Sequence, residues 1–165
     1  MKKILSLLGT FTLIGTSTIS LVACDNIEEY TTEKLTKLKE ENKINTSDSI
    51  LEWIASQEKP FNQVDNKYYF VVWHGYENND WRIIKFQNTT ATMKIDNDDN
   101  RQLEKTDLGV SMGKSLYITN QSGIIKYVTT WPKDNGAYFK AVYRWNDNSE
   151  PNIDIENKLK SYLDL

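Results

Sequence analysis

The chain has 165 residues, of which 39% are hydrophobic, and its 20 Lys and Arg residues against 23 Asp and Glu residues give a formal net charge of −3. This acidic balance argues against a nucleic-acid-binding protein, because such proteins normally carry a basic surface. Cys24 is the only cysteine, so an intramolecular disulfide is excluded.

The first 23 residues have the three parts of an export signal. Lys2 and Lys3 supply a positively charged start, an apolar stretch with interspersed Ser, Thr and Gly follows over 4–19, and small residues lead up to Cys24. The apolar content falls short of the roughly 20 residues that a membrane-spanning helix needs. We therefore expect the chain to be exported and not to span the membrane.

The tetrapeptide Leu21-Val22-Ala23-Cys24 resembles the lipobox of bacterial lipoproteins. The opening MKKILSLLG, taken together with residues 20–24, is similar to the leaders of small spiroplasma lipoproteins. This resemblance implies that Cys24 receives a diacylglyceryl group and that the chain is cut between Ala23 and Cys24. An ordinary signal peptide followed by a coincidental cysteine is the alternative.

Loss of residues 1–23 would leave 142 residues, which is the size of a single domain with a workable core. Those residues carry 18 Lys and Arg against 23 Asp and Glu, a formal charge of −5. Two acyl chains give stable membrane anchoring without help from a basic patch. We therefore expect a lipid-anchored protein on the extracellular face of the cell membrane.

Residues 24–46 form the expected lipidated N-terminus and tether. An apolar stripe that includes Leu35 and Leu38, surrounded by charged residues, is compatible with a helix, and a partly disordered spacer fits equally well. Ser49 and Glu52 have capping-box spacing ahead of Trp53 and Ile54, which predicts a short helix over 49–58. Residues 47–165 are expected to form the globular domain.

From residue 68 onward the pattern is that of β-strands separated by turns, because β-branched and aromatic residues alternate with clusters of Asn, Asp, Gly and Pro. Ala137 and Phe139 begin the clearest alternation, with one face predicted to be core and the other partly solvated. The predicted strands lie at 68–73, 81–86, 90–95, 115–119, 124–131 and 137–145, with a weaker one within 101–114.

Residues 153–165 predict a closing helix, with Ile155, Leu159, Tyr162 and Leu163 on its apolar side. Sequential strands joined by short turns favour antiparallel pairing of neighbours. The predicted fold class is therefore α+β: an antiparallel meander of about five to six strands, with one helix before it and one after it.

No pattern in the chain points to catalysis or metal binding. His74 is the only histidine and lacks a motif that would supply a nucleophile, so a structural or surface role is favoured. Asp96, Asp98 and Asn100, with Asp107 further on, faintly resemble a calcium loop, but Arg101 occupies the position where such loops need glycine. We expect no metal and no cofactor.

The five tryptophans are the more informative signal, because aromatic rings supply contact area at interfaces as well as in cores. Most of them fall within predicted strands, where core packing explains them. Trp131 and Trp145 lie near strand ends beside turns, so they are the candidates for an exposed binding edge.

The expected function is a non-enzymatic binding domain that contacts an extracellular protein or carbohydrate partner. The alternative is a carbohydrate- or solute-binding accessory module of a membrane transporter. A deep pocket lined by aromatic residues would favour the second function, and a flat surface would favour the first. An anchored hydrolase would need carboxylates that converge in one cleft.

Overall fold

A computed structural model describes residues 29–110, 113–152 and 154–165. Within these ranges, two α-helices flank nine strands. The helices are α1, Thr32–Glu41, and α2, Asp154–Leu163. The strands, in chain order, are β1 Ile44–Asn45, β2 Ile50–Trp53, β3 Tyr68–Trp73, β4 Arg82–Gln87, β5 Met93–Asp98, β6 Arg101–Asp107, β7 Lys114–Asn120, β8 Lys126–Thr130 and β9 Phe139–Trp145.

The strands form two antiparallel sheets and not one meander. Sheet A has the order β1-β2-β9-β3-β4, and sheet B has the order β5-β6-β7-β8. The α+β class, the antiparallel pairing and the closing helix are confirmed. A helix does precede the strands, but it is α1 and not the helix predicted over 49–58, and the single sheet of five to six strands is wrong. Sheet B alone is a meander, because each of its strands pairs with its neighbour in the chain.

Sheet A has a hydrophobic core on each face. Tyr69, Val71 and Trp73 point toward sheet B, where they join residues such as Leu103 and Leu116. The alternate residues of the same strand, Phe70 and Val72, point the other way and join Ile155 and Leu159 of α2. Side chains of successive strand residues point to opposite faces, so strand β3 contributes to both cores.

Strand β9 pairs with both β2 and β3, so it is central in sheet A. The predicted partly solvated face of β9 carries exposed Lys140 and half-buried Arg144, while Val142 on the same face is fully buried against sheet B. A register shift between Val72 and Trp73 brings Phe139 opposite Trp73. Phe139 thereby joins the core beneath sheet B, although strict alternation places it with Ala141.

The predicted helix over 49–58 is wrong. Residues 50–53 form β2, and only Ser56–Glu58 form one 3₁₀ turn. Glu52 lies opposite Arg144 in the sheet, and its carboxylate accepts a hydrogen bond from the Arg144 guanidinium at 2.6 Å. The carboxylate is therefore not free to reach back to Ser49 as a capping box requires, and the alternation around Leu51 and Trp53 is that of a strand.

The tether region is helical over Thr32–Glu41, and it docks onto the domain through polar contacts. No residue of α1 is buried. The Lys39 ammonium lies 2.5 Å from a carboxylate oxygen of Glu52 and 2.5 Å from one of Glu58. Just before the helix, the Tyr30 backbone amide donates to Gln57 Oε1 at 2.6 Å, and Gln57 Nε2 donates back to the Tyr30 carbonyl at 2.9 Å.

Burial alone would raise the pKa of Glu52, but the hydrogen bonds from Lys39 and Arg144 outweigh burial and lower the pKa below its ordinary value of 4.5. Burial alone would lower the pKa of Lys39, but Glu52 and Glu58 raise it above its ordinary value. Both shifts favour the charged pair. Because the pKa of Glu52 is lower in the docked state than in the unfolded chain, its ionised carboxylate stabilises the docked state at pH values above the unfolded pKa. That stabilisation is lost as the pH falls through the lower pKa of the docked state.

We predict that Lys39→Ala loosens α1 without unfolding the sheets. The lost ion pair is partly buried and contributes about 1 kcal/mol to holding α1 on the domain. Its loss should therefore raise the rate of amide hydrogen exchange in residues 32–41 about fivefold and leave the exchange rate in β3 unchanged. Lowering the pH of the wild-type protein through the depressed pKa of Glu52, which lies below 4.5, should have the same effect, because Glu52 then takes up a proton.

The matched control is Lys37→Ala, because Lys37 pairs only with Glu41 of the same helix and is highly exposed. It should leave exchange in α1 nearly unchanged. Equal exchange in the two variants would show that Lys39 does not hold the helix in place.

Candidate functional site

His74 occupies a structural position between two segments of the fold. Its ring is buried and stacks on Trp81, with ring centroids 3.9 Å apart. Nδ1 lies 2.8 Å from the Asn79 carbonyl oxygen, and Nε2 lies 2.6 Å from the Ala137 carbonyl oxygen. Both ring nitrogens thus face carbonyl oxygens, and a protonated ring nitrogen donates to the carbonyl that it faces. The ring therefore joins the β3–β4 loop to the segment before β9 and has no free nitrogen to serve as a base.

Trp131 and Trp145 do not form an exposed edge. Trp131 is 9% exposed and packs against Phe61 between the sheets, with ring centroids 5.8 Å apart. Trp145 is 1% exposed in the core beneath α2, and its indole N–H donates to the Ser149 carbonyl at 3.1 Å. The prediction of exposed indoles at these positions is wrong, because Trp131 packs on Phe61 and the turn that contains Ser149 folds back to Trp145.

The residues of the faint calcium-loop pattern do not converge. Asp98 pairs with Arg101 at one end of β6, whereas Asp107 lies at the other end of that strand. Asp96 is held by Arg82, whose Nε and Nη2 donate to its two oxygens at 2.8 and 3.0 Å. In the part of the chain that the structure describes, no group of three or more His, Cys, Asp and Glu residues could hold a metal ion.

One open, polar depression lies where the β3–β4 loop meets the end of β5. Its volume is about 390 Å³. It is lined by Asn78, Asn79 and Asp80 from the loop, Arg82 from the start of β4 and Asp98 from the end of β5. None of these five lining residues is aromatic. The depression thus offers hydrogen-bonding groups and charges, and no stacking surface.

Hydrogen bonds fix the walls of this depression. Asp98 Oδ2 accepts from the Gly75 backbone amide at 2.7 Å and from Asn79 Nδ2 at 3.1 Å. The hydrogen bond to Asp96 raises the pKa of Arg82, so the guanidinium keeps its charge. The indole N–H of Trp73 also donates to Asp96 at 3.1 Å, which ties this pair to the core. The arrangement presents fixed donors and acceptors, and it places no nucleophile beside a base.

Gly75 is the residue that brings the two sheets together at this site. A Cβ added at Gly75 would lie 2.8 Å from Arg101 Cβ and 2.9 Å from Asp98 Oδ2. Those distances are shorter than van der Waals contact, so no side chain fits. The sequence signal for this contact is only a glycine directly after His74, which is too weak to predict it.

A second buried polar cluster holds the crossover from sheet A to sheet B. The Lys105 ammonium is buried and donates to Asn88 Oδ1 and to the Thr90 carbonyl. Asn88 Nδ2 and the Tyr69 hydroxyl donate to the two oxygens of Asp65 at 2.8 and 2.7 Å. Burial lowers the pKa of Lys105, and burial followed by the bond to Asp65 raises the pKa of Tyr69. All of these groups have partners, so the cluster is structural.

The predicted modification site, Cys24, and the predicted cleavage position between Ala23 and Cys24 lie outside the described residues. Among the residues that the structure does describe, no helix is both long and apolar enough to cross a membrane.

Comparison with known proteins finds no matching family model, no matching curated protein and no matching solved structure.

We predict that Gly75→Ala disrupts the depression. The added methyl group would push Arg101 and Asp98 away, and such overpacking should lower the free energy of unfolding by about 1–3 kcal/mol. Chemical denaturation measures this loss. Glu77→Ala, in the same loop but exposed, should change stability by less than about 0.5 kcal/mol. A Gly75→Ala protein as stable as the Glu77→Ala protein would contradict the tight contact.

Proposed function

We propose that this protein is a lipid-anchored cell-surface protein whose folded domain binds an extracellular partner without catalysing a reaction. Its anchor is a diacylglyceryl group on Cys24, added as the leader is removed. The charged start, the apolar stretch and the lipobox-like tetrapeptide over 1–24 support this anchor. The mature chain then lies on the extracellular face of the cell membrane.

The short connection to the anchor supports a domain held close to the lipid. Tyr30 is already bound to Gln57 of the domain, and Cys24 lies only six positions before it in the chain. An extended chain of that length spans at most roughly 21 Å. Because α1 is docked onto the domain, it does not act as a spacer between the domain and the membrane.

The shape of the depression is the observation that carries the binding function. It is open, shallow and polar, and no aromatic residue lines it. A surface of this kind suits the polar part of a protein interface better than a pocket that encloses a small ligand. Catalysis is disfavoured because the nearby Asp96 and Asp98 carboxylates are already engaged by Arg82, Gly75 and Asn79.

A carbohydrate- or solute-binding module of a membrane transporter is the second candidate. The observation in its favour is the same depression, since a volume of about 390 Å³ is enough for a small polar molecule. Asn78, Asp80 and Arg82 would supply hydrogen bonds to hydroxyl or carboxylate groups. No stacking ring is present among the lining residues to hold a sugar face.

One measurement distinguishes the two functions: the binding of labelled mature protein to cells, before and after the cell surface is treated with protease. For a protein partner, binding should be lost after proteolysis and should fall about fivefold or more in the variant Asn78→Ala/Asp80→Lys. Lys94→Glu, on the exposed outer side of β5, is the matched control and should bind like wild type.

For a solute module, cell binding should be absent, and sugars, amino acids or short peptides should raise the melting temperature of wild type but not of the Asn78→Ala/Asp80→Lys variant. If the Asn78→Ala/Asp80→Lys variant binds cells as strongly as the Lys94→Glu control, the result would contradict a role for the depression.

A further inference from the structure

The His74 ring has a hydrogen-bond acceptor in front of each of its two nitrogens. Nδ1 lies 2.8 Å from the Asn79 carbonyl oxygen, and Nε2 lies 2.6 Å from the Ala137 carbonyl oxygen. A neutral imidazole carries a proton on only one nitrogen, so it can donate to only one of these carbonyls. The lone pair of the other nitrogen would then face a carbonyl oxygen at a position that is only 3% exposed. The imidazolium, which carries both protons, is the form that satisfies both contacts.

The groups packed around the ring compensate for the charge of an imidazolium, which burial alone disfavours. The Trp81 indole stacks on the ring at a centroid distance of 3.9 Å, and the face of an indole attracts a cation. Asp134 accepts from the Phe139 backbone amide at 3.0 Å in the segment before β9. Burial raises the pKa of Asp134, while hydrogen bonds from backbone amides and the charge of His74 oppose that rise. Because this electrostatic attraction is mutual, ionised Asp134 favours the imidazolium.

Other titratable groups lie close to the residues beside the ring. The Tyr138 ring meets the imidazole edge-on at a centroid distance of 6.2 Å. The Lys140 ammonium of β9 lies 5.7 Å from the centroid of the Trp81 ring, so its charge opposes a second cation there.

Strands β5 and β6 bring one charge of each sign to the residue after His74. Asp98 accepts from the Gly75 backbone amide at 2.7 Å, and a Cβ added at Gly75 would lie 2.8 Å from Arg101 Cβ. These two charges offset each other, so Asp134 and Lys140 are the groups that bias the charge of the ring in opposite directions.

The two carbonyls that face the ring are not held equally firmly. Ala137 is followed by Tyr138, whose carbonyl accepts from the His74 backbone amide at 3.1 Å and whose own amide donates to Asp134 at 3.2 Å. Asn79 lies in the β3–β4 loop, where residues 77–80 are exposed. A neutral ring would therefore keep its proton on Nε2, toward Ala137. The contact that gives way is the one between Nδ1 and the Asn79 carbonyl.

We propose that the protonation of His74 controls the depression. The imidazolium closes the β3–β4 loop onto the domain through the Asn79 carbonyl, and loss of the Nδ1 proton releases this loop. Asn78, Asn79 and Asp80 of the loop line the depression, so its shape changes with the release. The consequence for partner binding rests on the proposed function, whereas the coupling between ring and loop does not.

The direction of the pH dependence follows from the proton that the closed loop holds. Because the closed loop favours the imidazolium more than the released loop does, protonation stabilises the closed loop at low pH. That stabilisation is lost as the pH rises through the titration of the ring. Histidine is the side chain that ordinarily changes charge between about pH 5 and about pH 8. The depression is therefore expected to be ordered at mildly acidic pH and loosened at alkaline pH.

The test follows the ring and the loop in one pH titration of the full chain. The protein is labelled with ¹⁵N, held in detergent micelles and carries no histidine tag, so His74 gives the only imidazole signals. Long-range ¹H–¹⁵N spectra should show both ring nitrogens protonated near pH 5.5 and only Nε2 protonated near about pH 8.5. Solvent exchange reports on the Asn79 amide, which donates to the Tyr76 carbonyl at 2.9 Å within the loop. After correction for the intrinsic pH dependence of exchange, its protection should fall about tenfold or more as the ring loses its proton.

The matched control amide is that of Leu108, which donates to the Gly113 carbonyl at 3.1 Å just after the end of β6 that lies away from Asp98. Its corrected protection should stay constant through the titration. His74→Phe keeps an aromatic ring against Trp81 but has no ring nitrogen, so protection at Asn79 should be low and independent of pH. If this variant does not fold, the wild-type titration still decides the inference.

Two results of the titration would overturn the inference. One is protection at Asn79 that stays constant while the ring loses its proton. The other is a ring that keeps one nitrogen unprotonated through the whole pH range.

Binding of labelled protein to cells connects this coupling to the proposed function. Wild type should bind at least about fivefold more strongly near pH 6 than near pH 8, and His74→Phe should bind equally at both. A loop that titrates with the ring in a protein that binds no cells contradicts the proposed function and leaves the coupling intact. Cell binding that is lost in the Asn78→Ala/Asp80→Lys variant but does not change with pH, together with a loop that ignores the ring, contradicts this inference alone.

Discussion

Strand β3 is buried on both faces, and the positions of the other elements follow from that burial. Its odd-numbered residues from Tyr69 to Trp73 contact sheet B, and its even-numbered residues contact the α2 layer. Two neighbours, β9 and β4, satisfy its backbone on both sides. The register shift at Val72 and Trp73 then turns the end of the strand, so that Trp73 reaches Asp96 and His74 reaches the segment before β9. The candidate site is built on this end of the strand.

Polar contacts decide how the layers are joined, because the apolar cores alone would tolerate other arrangements. Lys105 and Asn88 hold the crossover between the sheets, Arg82 and Asp96 hold β4 against β5, and Lys39 with Glu52 holds α1. The first two connections place the β3–β4 loop and the end of β5 around one depression. The third keeps the N-terminal helix on the domain, so the lipid expected on Cys24 lies close to the fold. The proposed function depends on these connections.

The sequence predicted the fold class, the closing helix and most strands, because alternation and turn residues are local signals. It did not predict β2, since Ser49 and Glu52 have the spacing of a capping box and the partner of Glu52, Arg144, lies 92 residues away. It left β6 ambiguous because Lys105 and Gln102 are polar yet buried. The sequence predicts exposed tryptophans at strand ends, but Trp131 packs on Phe61 and Trp145 lies in the core with α2, and these tertiary contacts have no local signal. The depression had no sequence signal, since Asp98 reaches the segment 78–82 only in the folded protein, where the end of β5 lies beside the β3–β4 loop.

The central claim is that a lipid on Cys24 holds this domain at the outer face of the membrane. The most direct test is the intact mass of the protein from the membrane fraction, measured beside a Cys24→Ser variant. The account predicts a chain that begins at Cys24 and carries an added diacylglyceryl group, and a variant that is lost from the membrane fraction. An unmodified wild-type chain in the soluble fraction, with a free thiol at Cys24, would contradict it.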